Sequence, residues 1–260
     1  MCSVTHYRCS SGILVTMNRD EDRRRISEVP PQIHTPATHG CWMAPADGEP
    51  PNTWIAVNQS GFGGCILNRY QDSTTTLGEV SRGTLLPTML EQTNPSELAK
   101  WLPRIVSAKS FSPFTLIAIS RERTTRFDWT GQKLLAPQSI LSTDSSGDVN
   151  DAPWALTTSS SWRSRSVSGW RSRQFRLWLQ SGAPFRGDIP AFHLLQPDSL
   201  EAWAPLMSRR LSSTRSLTQI HVDLAHRRVV MRYWAPPHPG SRVPSCHLTL
   251  PLEETGSRTP

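Results

Sequence analysis

The chain has 260 residues, 10 tryptophans, 22 prolines and a formal net charge of +7. This length allows a sizeable core in one large domain or two small ones, and the many tryptophans argue against a disordered protein. Because the first thirty residues are rich in charge and no run of about eighteen apolar residues occurs, we expect a cytoplasmic protein without stable membrane insertion.

The cysteines and histidines give no sign of a disulfide framework or a metal site. The five cysteines, at positions 2, 9, 41, 65 and 246, are odd in number and widely spaced, which fits a reducing compartment. His39 with Cys41, and Cys246 with His247, lack the gap of about two to four residues that is typical of zinc ligands. We therefore expect no metal and no cofactor.

Positive charge is concentrated in the second part of the chain. Residues 161–260 carry 14 Lys and Arg against 6 Asp and Glu, whereas residues 1–160 carry 14 against 15. Several arginines lie among serines and tryptophans at positions 163, 165, 171, 173 and 176. Such a stretch is found in phosphate-binding or nucleic-acid-binding arms, and also in solvated loops that lead into helices. An anionic or phosphate-bearing ligand is favoured over nucleic acid, and we expect no nucleic acid partner.

The first elements in chain order are predicted to be strands. Residues 13–17 form a β-rich run that ends at Asn18, so Asp20 and Glu21 follow the end of a strand. Residues 29–52 are rich in Pro, Gly, Thr and His without periodicity and predict a long loop that covers a site. Residues 54–57 and 62–67 predict a hairpin, with Asn68 at the end of its second strand.

The middle of the chain predicts two helices and a further hairpin. The second helix opens at Pro95 and carries an apolar stripe that is typical of a core-facing helix. Residues 114–119 and 124–130 predict a hairpin whose first strand is apolar on both faces and is therefore buried between layers. Residues 143–169 are rich in serine and predict irregular structure, apart from a short strand at 154–157.

The last elements are two helices and a group of strands. Helices are predicted near 170–181 and 198–208, strands at 217–224 and 228–234 pair with each other, and 246–250 adds an edge strand. Residues 253–260 are predicted to be a disordered tail. Strand hairpins separated by groups of helices indicate an α+β fold, with two sheets and helices packed outside them, and no linker divides residues 1–260.

Cys2 follows the initiator methionine directly. Removal of Met1, which the small side chain at position 2 permits, would leave a cysteine with a thiol and a free α-amine. The amine titrates near ~8 and the thiol near ~8.5 in reference peptides, so the amine can accept the thiol proton without a distant histidine. The alternative interpretation is a free cysteine that acts as a small hydrophobic residue.

Several segments in the same order resemble the NRDE family, also called the Transport and Golgi organisation protein 2 family. The resemblance covers most of the chain, from Cys2 to about Trp234, and is carried by Met1-Cys2, Asn18-Arg19-Asp20-Glu21, Thr53-Trp54-Ile55-Ala56-Val57-Asn58, Leu67-Asn68-Arg69-Tyr70, Ser81-Arg82-Gly83-Thr84-Leu85-Leu86, Phe114-Thr115-Leu116-Ile117-Ala118, Leu156-Thr157-Thr158-Ser159-Ser160 and Val229-Val230-Met231-Arg232-Tyr233. It implies the four-layer αββα sandwich of N-terminal-nucleophile hydrolases, like that of penicillin V acylases and bile salt hydrolases. It leaves the reaction open.

The resemblance also implies roles for residues of the first part of the chain. A Cys2 thiolate would attack the carbonyl of an amide or thioester, with its own α-amine carrying the proton and Asp20 orienting that amine. Asn68 matches the asparagine that follows the corresponding hairpin, and we expect it to donate to the oxyanion. Arg19 would lower the thiol pKa, although in the acylases the arginine precedes the aspartate by three residues.

In the second part of the chain the match to the acylases is less complete. The block Thr157-Thr158-Ser159-Ser160 stands where they carry a later asparagine, so the hydroxyl of Ser159 is expected to contact substrate. Arg171 matches the arginine that follows this block, with Arg173 as its substitute. Glu21 could instead form a structural ion pair with one of these arginines.

Two functions of different classes follow from these observations. The first is an N-terminal-cysteine acyl hydrolase or acyltransferase. The second is a non-catalytic carrier or trafficking protein of the same fold that binds a lipid, acyl-CoA or haem-like ligand. Both predict a small-molecule acyl or lipid-like ligand, and neither specifies an oligomeric state.

Overall fold

Two antiparallel β-sheets form the centre of the computed structural model, which describes residues 2–36, 40–48, 52–70, 78–142, 154–182 and 190–253. In chain order, the strands are β1 (Cys2–Cys9), β2 (Gly12–Asp22), β3 (Val29–His34), β4 (Trp42–Ala46), β5 (Ile55–Asn58), β6 (Gly63–Asn68), β7 (Phe114–Ile119), β8 (Arg123–Trp129), β9 (Gln138–Ser142), β10 (Trp154–Ser159), β11 (Ser212–Asp223), β12 (Arg228–Trp234) and β13 (Cys246–Pro251). The first sheet has the order β10-β1-β2-β11-β12-β13, and the second runs from β3 to β9 in sequence order.

Side chains along β1 point alternately to the two faces of the first sheet, and their polar contacts differ accordingly. Ser3 and Thr5 hydrogen-bond with residues of the covering helices, Arg171 and His193. Arg8, which has the opposite parity, donates to the carbonyl of Ser120 in the second sheet's β7–β8 turn. Even-numbered residues of β1, including Cys2, therefore face the space between the sheets.

The predicted hairpin at 54–67 is confirmed as β5 and β6, and its turn explains why it forms. The side chain of Asn58 accepts hydrogen bonds from the backbone N–H groups of Ser60 and Phe62, each at 3.0 Å. Gly61 has a φ of 78°, in the left-handed region that favours glycine. Asn68 is the last residue of β6, as the sequence predicts.

Helices cover the outer face of each sheet. On the second sheet, α1 (Leu85–Gln92) packs against β5 and β6, and α2 (Leu98–Ala108) adds Leu98, Leu102 and Val106 to the core. On the first, α3 (Ser164–Gln180) packs against β10, and a 3-10 helix (Ala191–Leu194) contacts β2. The four layers are therefore the predicted αββα sandwich. None of the helices in the described ranges is long and apolar enough to cross a membrane.

The long loop predicted at 29–52 is wrong, because β3 and β4 lie there. Pro30 and Pro31 concealed β3 in the sequence, since proline lacks the N–H that a central strand needs. The structure places β3 at the edge of the second sheet, where such residues are tolerated.

Two helix predictions also need correction, and one region is not described. The helix predicted at 198–208 is absent from this described segment, where Ser199 has a left-handed φ of 62° and Pro205 interrupts the pattern. Helix α3 begins at Ser164 rather than near 170, so part of the serine-rich region is helical. The predictions for 143–153 and for the tail beyond Glu253 lie outside the described residues.

Two fully buried histidines lie on opposite faces of the first sheet. His193 contacts the side chains of Asn18 and Thr5 through its two ring nitrogens. Both ring nitrogens of His6 are buried without a partner among the residues that the structure describes. Burial lowers the pKa of each histidine to about 3.

We expect this burial to make the protein sensitive to acid. Because both pKa values fall from 6.5 to about 3 on folding, the unfolded chain binds more protons between these values. The free energy of unfolding therefore decreases as the pH drops below 6.5 toward 3. Between pH 7 and pH 5, the decrease in the free energy of unfolding should be about 1–2 kcal/mol smaller for the variant His6→Leu than for the wild type. Urea unfolding at the two pH values measures this difference.

A surface histidine provides the control for this measurement. His247 is exposed on β13, so His247→Leu should show the same pH dependence as the wild type. Equal losses of stability in wild type and His6→Leu would show that His6 does not contribute to the acid sensitivity.

Candidate active site

A cavity of about 390 Å³ opens where β1 begins, and it contains four of the predicted site residues. Its wall is formed by the start of β1, the end of β2, the residues before β5, the end of β6 and the segment 78–83. Cys2, Arg19, Asp20 and Asn68 all line it. Its volume lies at the lower end of the roughly 300–1,000 Å³ that is usual for ligand pockets.

Cys2 is held in the wall of this cavity by strand pairing on both sides. Its Cα lies opposite that of Arg19 in β2 and that of Ser159 in β10, so these three side chains lie on the same face of the sheet. Burial raises the pKa of the Cys2 thiol, and the charge of Asp20 raises it further, while a hydrogen bond from the backbone N–H of Asp20 and the charge of Arg19 lower it less strongly. At neutral pH the thiol therefore needs a base to become a thiolate.

Below the strand, Asp20 and Arg171 form a buried ion pair. Arg171, in α3, is fully buried, and its Nη2 lies 3.4 Å from Oδ2 of Asp20. The same guanidinium donates to the hydroxyls of Ser3 and Thr158 at 2.9 and 3.1 Å. Further bonds run to the backbone carbonyls of residues 203 and 204. Arg171 therefore ties β1, β2 and β10 to the outer layer rather than lining the cavity.

The other oxygen of the Asp20 carboxylate is held by Thr214. The Thr214 hydroxyl donates to Oδ1 of Asp20 at 2.7 Å and accepts from the backbone N–H of Met207 at 2.7 Å. The β2–β11 register shifts between Thr214 and Ser216, next to this contact. Burial raises the pKa of Asp20, and the charge of Arg171 opposes that effect. Sequence analysis missed Thr214, because its contact with Asp20 crosses 194 positions of the chain.

Carboxylates surround the Arg19 guanidinium, which is also buried. It forms ion pairs with Glu21, Glu28 and Asp47, and its Cζ lies 4.5 Å from the centre of the Trp54 ring. The predicted pairing of Glu21 with Arg171 or Arg173 is therefore replaced by a pairing with Arg19. The positive charge of Arg19 is largely neutralised before any ligand enters.

Two uncharged groups near Cys2 can donate hydrogen bonds. Asn68 lines the cavity, and its Nδ2 donates to the Tyr70 hydroxyl at 3.0 Å. The Ser159 hydroxyl is buried and has no partner within the described part of the chain. Ser159 lies opposite Cys2 in the sheet but, unlike Cys2 and Asn68, is not part of the cavity wall.

Arg82 belongs to one of the segments that resemble the family, and the sequence alone predicts no role for it. It lines the cavity from the segment before α1, and its Nη1 donates to the carbonyl of Pro113 at 3.0 Å. Arg173, by contrast, is exposed on α3, two positions from Arg171 and hence on another side of the helix. The structure thus brings Arg82 to the cavity and leaves Arg173 away from its described wall.

Two sheets with helices on both outer faces define the fold of N-terminal-nucleophile hydrolases, and solved structures of this class match it. An orthologue of N-acylethanolamine-hydrolyzing acid amidase from Caenorhabditis elegans is 10% identical, with 91% of this chain and 100% of that one covered and a TM-score of 0.56. A variant of the conjugated bile acid hydrolase from Clostridium perfringens is also 10% identical, with 96% and 92% covered and a TM-score of 0.51. Identities this low establish the fold alone.

The sequence itself places the chain in a family. A model of the Transport and Golgi organisation 2 family matches residues 1–161, and the chain belongs to that family. The resemblance drawn from Cys2 and the Asn18-Arg19-Asp20-Glu21 segment is thereby confirmed. Among curated proteins, no sequence matches this one.

The buried pair makes a measurable prediction about stability. We expect Asp20→Asn to lower the free energy of unfolding by about 3–5 kcal/mol, because it leaves the buried Arg171 without its counter-charge. Arg171→Met should have an effect of similar size, and the double variant should lose less than the two single losses combined. Urea unfolding of the four proteins measures this coupling.

Asp22 offers a matched control on the same strand. It pairs with Arg24 at the surface, where solvent screens the charges, so Asp22→Asn should change stability little. If Asp20→Asn were no more destabilising than Asp22→Asn, the structural role given to the buried pair would be incorrect.

Proposed function

We propose that this protein is an acyl hydrolase or acyltransferase that acts on an amide or thioester through Cys2, once Met1 is removed. The observation that carries the proposal is the position of Cys2. Cys2 and Asn68 both line a cavity of ligand size. In the sheet, Cys2 lies between Arg19 on one neighbouring strand and Ser159 on the other. A buried nucleophile beside uncharged hydrogen-bond donors is the arrangement that acyl transfer requires.

The reaction begins with the transfer of the thiol proton to the free α-amine of Cys2. The thiolate sulfur then forms a bond to the acyl carbon, and the carbonyl oxygen becomes an oxyanion. When this intermediate collapses, the bond to the leaving amine or thiol breaks and the ammonium returns the proton to it. Water, or another acceptor, then takes the acyl group from sulfur by the reverse sequence of steps.

Asn68 and Ser159 are the proposed donors to the oxyanion. Ser159 can donate without breaking an existing contact to a described residue, because its buried hydroxyl has no partner there. Asn68 has two amide hydrogens and uses its nitrogen toward Tyr70. Donors fixed in a buried site stabilise developing charge more strongly than water does, because they need no reorganisation.

Asp20 has two proposed tasks in this reaction. Its backbone N–H donates to the Cys2 sulfur and favours the thiolate, which the charge of its carboxylate opposes, and that carboxylate orients the neighbouring α-amine. Arg171 and Thr214 fix the carboxylate from below. We regard Arg171 as a positioning residue and Arg19, whose charge is largely matched by carboxylates, as a minor contribution to the thiolate.

The names of the similar structures agree with this reaction class. One is described as an acid amidase and the other as a conjugated bile acid hydrolase. A thiol nucleophile also fits the reducing cytoplasm that the cysteine pattern indicates. The alternative is a non-catalytic carrier, which would bind a ligand in the same cavity without chemistry at Cys2. Covalent acylation of Cys2 distinguishes the enzyme from the carrier.

The first test of the proposal is covalent acylation. Protein from a host that removes Met1 should show, by intact mass, the loss of methionine and no acetylation. On incubation with activated thioesters it should gain one acyl group, and peptide mapping should place that group on Cys2. The rate of acylation should rise with pH, because the attack needs a free α-amine to accept the proton and a thiolate to form the bond.

Cys9 is the matched control on the same strand. Cys2→Ala should abolish acylation and turnover, whereas Cys9→Ala, at the far end of β1, should retain both. A Cys2→Ala protein with full activity, or a demethionylated protein that binds acyl ligands without ever forming an acyl-enzyme, would favour the carrier.

The oxyanion donors give a separate kinetic prediction. Asn68→Ala and Ser159→Ala should each lower kcat by about 10²–10³-fold with little change in KM, because their hydrogen bonds strengthen in the transition state. Steady-state kinetics on a thioester substrate measures the split. An effect on KM alone would assign these residues to substrate binding instead.

A further inference from the structure

We propose that Arg82 binds an anionic group of the substrate, a carboxylate or a phosphate, inside the Cys2 cavity. The binding part of this inference stands without turnover, whereas its consequence for specificity rests on the function proposed above. The chemical class is an acyl amide or thioester that carries a negative charge close to the scissile bond.

The first observation is the state of the other arginines at this site. Arg19 pairs with Glu21, Glu28 and Asp47, and Arg25 pairs with Glu21 and Asp47. Because their charges are matched by carboxylates of the protein, neither offers a free cation to a ligand.

Arg82 differs from these arginines in its partners. Its guanidinium contacts the carbonyl of Pro113, and it has no ion pair within 4.0 Å among the described residues. A guanidinium carries five N–H groups, of which this contact uses one. The remaining donors suit the paired oxygens of a carboxylate or phosphate, which arginine binds through two parallel hydrogen bonds.

Burial adds to the attraction for an anion. Arg82 is half-buried, and burial lowers the pKa of its guanidinium, although arginine remains charged at neutral pH. A partly desolvated charge without a counter-charge gains more from an anionic ligand than a solvated surface arginine does. Glu21, on the same cavity wall, raises the pKa of Arg82 less than burial lowers it, and its carboxylate is already paired with Arg19 and Arg25.

Trp54 adds an apolar surface to the same cavity. This residue lines the cavity and is 5% exposed, while its indole nitrogen is buried and has no acceptor among the described residues. Because that nitrogen is shielded from the open cavity, the ring and not the N–H is the part that meets a ligand. Arg82 and Trp54 together favour a ligand that joins an anionic group to an apolar part.

The size of the cavity limits where the negative charge lies on the substrate. Arg82 and Cys2 line one space of about 390 Å³. We therefore place the anionic group on the part of the substrate near the reacting carbonyl rather than at the far end of a long acyl chain.

The experiment measures binding apart from turnover. Calorimetry on a Cys2→Ala protein compares N-decanoylglycine, its neutral analogue N-decanoylglycinamide and the phosphate ester of N-decanoylethanolamine. We expect at least one anionic probe to bind about 10–100-fold more tightly than the neutral amide, since hydrogen bonds to charged groups contribute that much. The stronger of the two anions identifies carboxylate or phosphate as the preferred group.

Variants assign the preference to Arg82. In the Cys2→Ala background, Arg82→Gln should remove the preference for the anion while leaving the affinity for the neutral amide nearly unchanged. Arg82→Lys should retain part of the preference, which keeps the test valid if Arg82→Gln folds poorly. Arg104→Gln removes an exposed arginine of α2 and should behave like the parent.

The outcomes separate this inference from the proposed function. Equal affinities for all probes in the parent, or an anion preference that survives Arg82→Gln, would overturn the role of Arg82. If the wild-type protein turns over neutral and anionic substrates equally well, the role of Arg82 is overturned while the proposed enzyme activity is supported. Binding that depends on Arg82, with no acylation of Cys2, would support the anion site and reject the catalytic proposal.

Discussion

The buried pair of Arg171 and Asp20 organises the part of the molecule on which the candidate site depends. All five N–H groups of the guanidinium are used, toward three strands and two backbone carbonyls. In the protein interior, an arginine that loses its counter-charge is strongly unfavourable. Packing arrangements that separate Arg171 from Asp20 are therefore disfavoured. The register that sets Cys2 opposite Arg19 and Ser159 is thereby linked to the matching of two charges beneath the sheet.

The first sheet separates support from chemistry by its two faces. On the side of the helices, polar residues bond to Arg171 and His193 and are satisfied by the protein itself. On the side of the cavity, Ser159 and Trp54 keep buried donors without partners in the described structure. Folded proteins rarely leave such groups unsatisfied, and those that remain are often found at functional sites. Trp234 also keeps a donor without a partner among the described residues on the side of the helices, so the contrast concerns the residues near the cavity and not the whole face.

The sequence predicts features that depend on neighbouring residues, and it does not predict contacts between segments that are far apart in the chain. The apolar strand β7 and the turn before β6 follow from composition and turn chemistry, and both are confirmed. The family segments also indicated the residues that meet at the cavity. No local pattern, however, could pair Thr214 with Asp20 or reveal that Arg19 is neutralised while Arg82 is not, since these facts depend on contacts between distant segments.

The prolines of β3 also affect how the border of the second sheet can pair with other chains. Strand β3 forms one border of its sheet, and it carries an exposed proline, Pro30, a residue type that cannot donate to an added strand. It also contacts β13, the border strand of the other sheet, so the two sheets approach each other along this side of the sandwich. The proline-containing strand that is hard to recognise in the sequence is thus both a poor template for an added strand and the place where the two sheets meet.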